Sequence, residues 1–136
     1  MKRILIVDDD TDHLWAARTL LESEGYEVLT HQSPFGVVGL IQASEPELVL
    51  VDGSFPFSPG VDLTSHLRSD DRTRTIPVVL YSSDDERTLN AAVAKHGLRG
   101  YIRKGDPNEL RMKASYFLGR LEADVSAFGR RLYAVE

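Results

Sequence analysis

Five short apolar runs, each closed by a polar residue and each followed by a helical pattern, constrain this chain more than any other feature. Residues 4–7 (Ile4, Leu5, Ile6, Val7) and 48–51 (Leu48, Val49, Leu50, Val51) are continuously apolar. A strand of that kind has no polar face and needs cover on both sides. Residues 26–30, 76–81 and 100–103 read as three further strands, with Pro77 tolerable near the start of its strand. Between the runs the period changes. Leu14, Ala17, Leu20 and Leu21 lie on one stripe of a helix over 11–23, with Thr11 as its expected N-cap and Gly25 as its stop. Ser33 and Pro34 open a second helix to about Ala43, and a third spans roughly 61–69. Ser83 to Glu86 has the form of a capping box opening a fourth helix that ends near Gly97, and Asp106-Pro107 opens the last. Strand and helix alternate five times. That order predicts an α/β domain: a parallel sheet with helices on both faces and right-handed crossovers.

In such a sheet the carboxyl ends of the strands converge on one edge. Asp8, Asp9 and Asp10 follow the first strand, Asp52 the third, Ser82 the fourth and Lys104 the fifth. Residues scattered along the sequence thus meet in one pocket of carboxylates, a hydroxyl and an ammonium. Such a pocket suits a divalent cation and a phosphoryl group. Magnesium takes hard oxygen ligands and keeps several waters, so two or three carboxylates suffice to hold it. Without a cation or the lysine, the acids would repel one another.

Composition removes other classes. A net charge of −5 disfavours bulk electrostatic binding of nucleic acid or acidic lipid. There is no cysteine, hence no disulfide or thiolate metal site. His31, His66 and His96 are scattered without zinc-ligand spacing. His13 lies near the acidic pocket, which already has enough oxygen ligands without it. Trp15 reads as a packing residue. No stretch approaches a membrane span or a secretory signal, so the expected compartment is the cytoplasm.

Spacing sharpens the picture. Ser82 follows Asp52 by 30 residues and Lys104 follows Ser82 by 22, while Pro56 and Gly60 lie in the loop after Asp52. In these positions the chain resembles the receiver domain of bacterial two-component response regulators, of the single-domain chemotaxis type, over residues 3 to about 124. The resemblance implies a flavodoxin-like doubly wound sheet of strand order 2-1-3-4-5. It also implies a role for each matching residue. Asp52 is the expected phosphoacceptor, loaded by the phosphohistidine of a sensor kinase or phosphotransfer protein. Asp8, Asp9, Asp52 and the backbone carbonyl of Ser54 are the expected Mg²⁺ ligands. Ser82 and Lys104 are expected to contact the phosphoryl group, and Ser82 with Tyr101 to form the switch. Ser54 and Asp84 occupy positions that tune dephosphorylation. The expected product is a signalling domain rather than an enzyme with a separate substrate. Its output passes to a downstream protein partner or to a homodimer through the last strand and helix, with no direct contact to nucleic acid or membrane.

Two departures stand out. Gly105 follows Lys104 where the family usually has proline with a cis bond. A non-proline cis bond costs about 2.5–4 kcal/mol, so a trans or remodelled loop is expected. The last helix carries Leu110, Ala114, Phe117, Leu118, Leu121, Val125, Phe128 and Leu132 at three-four spacing. This predicts one helix extending to about residue 132, and a receiver over 1–124 with a helical extension over 125–136. The alternative reading is a pseudo-receiver, a docking or dimerisation module that works without phosphorylation. A flavin carrier of this architecture needs a glycine- and hydroxyl-rich phosphate loop after strand one, where three aspartates stand. A phosphatase needs a second acid after the nucleophile, where Gly53 and Ser54 stand.

Overall fold

The apolar runs lie side by side as parallel strands. A computed structural model describes residues 1–53 and 63–119. The order is β1 (Arg3–Val7), α1 (Thr11–Ser23), β2 (Glu27–His31), α2 (Val37–Ser44), β3 (Leu48–Asp52), α3 (Leu63–Arg68), β4 (Val78–Ser82), α4 (Glu86–His96), β5 (Gly100–Arg103) and α5 (Pro107–Phe117). The sheet order is β2-β1-β3-β4-β5 and every pairing is parallel. The expected flavodoxin-like architecture is therefore observed.

Alternation along each strand divides the core in two. Ile4 and Ile6 of β1, Leu48 and Leu50 of β3, Val79 and Tyr81 of β4 and Ile102 of β5 pack with Leu14, Ala17 and Leu21 of α1 and Leu110 and Ala114 of α5. Leu5, Val7, Val49, Val51, Val78, Leu80 and Tyr101 point the other way, against Val37 and Ile41 of α2, Leu63 and Leu67 of α3 and Leu89 of α4. Burying one such aliphatic side chain stabilises the fold by about 1.5–3 kcal/mol. The two layers fix the sheet rigidly, and its carboxyl edge carries the polar residues.

Registry sets their level. Val7 stands opposite Val51, Asp52 opposite Tyr81, and Ser82 opposite Arg103. One further backbone bond, from Lys104 N–H to Ser82 O at 2.9 Å, carries the β4–β5 ladder past the end of β5 and seats Lys104 beside the serine.

Several helix starts differ from the expected ones. Asp10, not Thr11, caps α1: its carboxylate accepts from the N–H groups of Asp12 and His13. Asp85, not Ser83, caps α4 and accepts from Thr88 N–H at 2.8 Å. A carboxylate is a charge-assisted acceptor at the positive end of a helix and outcompetes a nearby hydroxyl. The second helix begins at Val37 rather than at Pro34, because Gly36 adopts a left-handed φ of 78° just before it.

The unbroken last helix is also corrected. The helix closes at Phe117. Leu118 N–H still bonds Ala114 O, but Gly119 turns left-handed at φ 74° and its N–H bonds Tyr116 O. Glycine adopts that turn without the steric cost a side chain would bring. Leu110, Ala114 and Leu118 of the stripe are buried in the sheet core, so this part of it is ordinary packing. Residues 120–136, with Leu121, Val125, Phe128 and Leu132 and the expected boundary at 124, lie outside the described residues.

Candidate functional site

The carboxyl edge of the sheet gathers the charged residues. Asp8 ends β1 on the buried side and is only 1% exposed. Its Oδ1 accepts from Asp10 N–H at 3.0 Å, which turns the chain out of the strand and into α1. Asp9 is exposed and Asp52 half-buried, and carboxylate oxygens of Asp8, Asp9 and Asp52 all lie within 4.8 Å of one another. Asp10, the third acid of the run, is spent as the helix cap. The N–H of His13 chiefly holds its pKa below the usual carboxylate value, against a smaller opposing effect of burial.

Lys104 reaches across this cluster from β5. Its Nζ lies 2.5 Å from Asp8 Oδ2, 3.1 Å from Asp52 Oδ1 and 3.3 Å from His13 Nδ1, with the Tyr81 ring centroid at 5.3 Å. Burial works against the ammonium, but the two carboxylates outweigh it and raise its pKa above the ordinary lysine value. The same burial, with the charge of Asp8, pushes the Tyr81 phenol up to about 12.

The fit to a cation can be judged from Asp8. Its Oδ2 is fully buried and accepts no aligned hydrogen bond; the close Lys104 ammonium is an ion pair without that alignment. The ammonium offsets part of the cost of burying that oxygen, and a cation would offset the rest. With all-oxygen donors on Asp8, Asp9 and Asp52, the set suits a hard divalent ion.

Ser82 ends β4, 6% exposed, and its Oγ accepts from Asp84 N–H at 3.1 Å. A Cβ at Gly53 would lie 3.8 Å from that hydroxyl, so glycine leaves the approach to Ser82 open. Asp84 and Ser83 are exposed at the start of the β4–α4 loop. Ser54, Pro56 and Gly60 lie outside the described residues.

Tyr101 stands apart from the cluster. It is buried against the α4 side of the sheet, and its OH donates to Glu86 Oε1 at 3.0 Å. Burial first, then that carboxylate, pushes its phenol up to about 12. Gly105 takes a left-handed φ of 101°, and no peptide among the described residues is cis, so the Lys104–Gly105 bond is trans, as expected.

Three features escaped the sequence. Lys113 is buried, with Nζ 3.0 Å from Tyr101 O and 3.0 Å from Glu109 Oε2 and 4.1 Å from the Tyr101 ring centroid. His13 touches Lys104. Trp15, read as packing, is 71% exposed and lines a groove of about 560 Å³ with Ala16, Leu20, Pro107 and Leu110. The i, i+4 spacing of Glu109 and Lys113 was visible, but nothing in it signalled burial.

No helix among the described residues is long and apolar enough to cross a membrane. Comparison with known proteins supplies the family. Residues 4–115 match the model of the response regulator receiver domain. The chain is 32% identical over 113 residues to protein PilH of Pseudomonas aeruginosa, covering 83% of this chain and 93% of that protein. Among solved structures it resembles a response regulator from Desulfuromonas acetoxidans, with a TM-score of 0.78 at 24% identity, covering 89% of this chain and 99% of that one. It also resembles the receiver domain of a sensor histidine kinase from Pseudomonas aeruginosa PAO1, with a TM-score of 0.74 at 20% identity, covering 87% and 98%. That structure holds a magnesium ion in its active-site cleft. Sheet order, converging acids and a matched family model over most of its length agree: this chain belongs to the response regulator receiver domain family.

Proposed function

We propose that this protein is a phosphorylation-driven signalling receiver that takes a phosphoryl group on Asp52. The observation that carries the reading is the Lys104 ammonium lodged between Asp8 and Asp52, in a cluster whose three acids lie within 4.8 Å. The donor is the phosphohistidine of a sensor kinase or phosphotransfer protein. One oxygen of the Asp52 carboxylate forms the new bond to phosphorus. The bond from phosphorus to the donor imidazole breaks with its electron pair going to the ring nitrogen, and the imidazole leaves neutral because its other nitrogen carries a proton. A carboxylate nucleophile is reasonable for such transfer.

Asp8, Asp9, Asp52 and the Ser54 carbonyl are the proposed Mg²⁺ ligands. The ion supplies neutralisation of charge on the phosphoryl oxygens. Lys104, paired with Asp8 and Asp52 and largely buried, supplies a second positive charge already in place. The Ser82 hydroxyl, at the same edge, accepts from Asp84 N–H through its oxygen and has its O–H to donate to a phosphoryl oxygen. Ser54 and Asp84 are the proposed residues that set the lifetime of the phosphoryl group. Tyr101, tied to Glu86 on the far side of β5, is the element that responds. The signal leaves through protein contact on the α4, β5 and α5 side, with a downstream partner or a second copy.

The test is labelling by acetyl phosphate read by intact mass. The expected result is one phosphoryl group, dependent on Mg²⁺ and absent in Asp52→Asn. Wild-type protein that stays unlabelled with Mg²⁺ present rejects the reading and leaves a docking module.

A further inference from the structure

We infer that His13 is a positioning residue for Lys104, holding its ammonium through a hydrogen bond accepted by Nδ1. The inference rests on the receiver reading above and extends it to a residue outside the acidic cluster. Nδ1 lies 3.3 Å from Lys104 Nζ in hydrogen-bonding geometry. An ammonium has three N–H donors and no acceptor, so Nδ1 must be the acceptor and the ring proton sits on Nε2. The same nitrogen is 3.4 Å from Asp10 Oδ2 and 3.9 Å from Asp8 Oδ2. Neither contact is aligned as a hydrogen bond, so the lysine decides the tautomer.

Lys104 thus meets Asp8 as an ion pair and donates hydrogen bonds to Asp52 and His13. The two carboxylates have other tasks, one in the acidic triad and one as phosphoacceptor. His13 is uncharged in this tautomer and has no other assignment at the site, so its bond is the one Lys104 can keep. A hold from α1 is needed because the chain beyond the lysine offers little. Gly105 has φ 101°, and a Cβ there would meet nothing within 4 Å. Glycine leaves that backbone freer than any other residue would. His13 lies in the first turn of α1 with its backbone N–H held by the Asp10 cap, and its ring ties the β5–α5 loop to that helix.

The experiment uses the full chain and two readouts. In the metal- and phosphate-free protein, the ¹⁵N shift of His13 Nδ1 moves toward that of a free imidazole acceptor when Lys104 is changed to Met. With acetyl phosphate and Mg²⁺, His13→Ala slows labelling about 10-fold, the scale seen when an outer partner of a reacting group is lost. His13→Asn, which keeps an acceptor near Nδ1, recovers most of that loss. On the Lys104→Met background His13→Ala adds nothing, since the two act as one unit. An unmoved Nδ1 shift, wild-type rate in His13→Ala, no recovery in His13→Asn, or a full further loss on the Lys104→Met background each overturns the inference. Wild-type protein that takes no label overturns the receiver reading instead, and the Nδ1 shift still decides the contact.

Discussion

The molecule buries two lysines on either side of β5, and their surroundings are opposite. Lys104 faces the acidic cluster, where its neighbours are the carboxylates of Asp8 and Asp52, and its pKa is raised. Lys113 faces the edge of the sheet. Burial lowers its pKa, with Glu109 only partly opposing. Its neighbours are structural. Lys113 Nζ takes the carbonyl of Tyr101, while Glu109 Oε2 takes the N–H of Arg103 at 2.8 Å. β5 is an edge strand, and one i, i+4 pair on α5 thereby covers an edge acceptor and an edge donor. The contrast separates two uses of a buried ammonium. Lys104 is held by groups proposed to change partner during the reaction. Lys113 is held by groups that cannot.

The largest effect that can break this contrast is at the acceptor. Asp52→Asn abolishes labelling by acetyl phosphate, read by intact mass. Label that persists on another aspartate would move the chemistry away from the Lys104 side of Asp52. Next are the lysines themselves. Lys104→Met slows labelling about 10²-fold, the cost of one donor aimed at developing charge. Lys113→Met leaves the rate of labelling within twofold of wild type, by contrast, but lowers unfolding free energy by about 1–3 kcal/mol, because the Tyr101 carbonyl and Glu109 lose their shared donor. Urea unfolding measures this. If both variants lost rate and kept stability, the division into reactive and structural lysine would fail.

How much of this was legible in the sequence depends on the kind of signal. The four-residue apolar runs of β1 and β3, too short for a helix and closed by polar residues, read as strands buried on both faces, and their polar ends followed from topology. Asp8, Asp52, Ser82 and Lys104 were therefore legible as one edge in the sequence alone. The caps were not. Near α1 and α4 several side chains can accept the same N–H groups, and carboxylates at Asp10 and Asp85 won over hydroxyls by charge. The end of α5 was hidden for another reason. Apolar spacing continues through Gly119, and periodicity does not register that this glycine turns left-handed. The burial of Lys113 and the contact of His13 with Lys104 were hidden because the direction of a side chain is a tertiary fact. Lys113 is on the buried stripe of α5 with Leu110 and Ala114, where a lysine stem can pack whether or not its ammonium reaches water.

Alkaline titration sharpens the comparison of the lysines at smaller amplitude. A lysine whose pKa rises on folding contributes stability that is complete below the usual 10.5 and is lost as pH climbs through the higher native value. A lysine whose pKa falls does the reverse: stability gains as pH climbs from the lower native value toward 10.5. The difference between wild type and Lys104→Met therefore shrinks above pH 10.5. The difference between wild type and Lys113→Met grows as pH approaches 10.5 from below. Melting temperatures across that range, taken as differences so that the tyrosines cancel, give the sign of each. Equal signs would mean that the surroundings of the two ammoniums are alike.

The smallest effect lies on Tyr101, the residue against which Lys113 packs. Its phenol sits near 12 for two separable reasons, burial and the hydrogen bond to the negative Glu86. Glu86→Gln keeps an acceptor at the same place and removes the charge. The phenol then titrates below about 12 yet above the ordinary 10.0, because burial remains. Tyrosine ring signals followed by NMR against pH resolve this shift residue by residue. The sign for stability follows. A phenol with a raised native pKa contributes fully below 10.0 and loses that contribution as pH rises toward about 12, so Glu86→Gln narrows the window of loss. If Tyr101 titrates unchanged in Glu86→Gln, burial alone sets it, and Glu86 does not restrain the ring electrostatically. The proposed switch would then depend on the room beside β5 that Lys113 and α5 leave, and Lys113→Met, not Glu86→Gln, would be the variant that frees Tyr101.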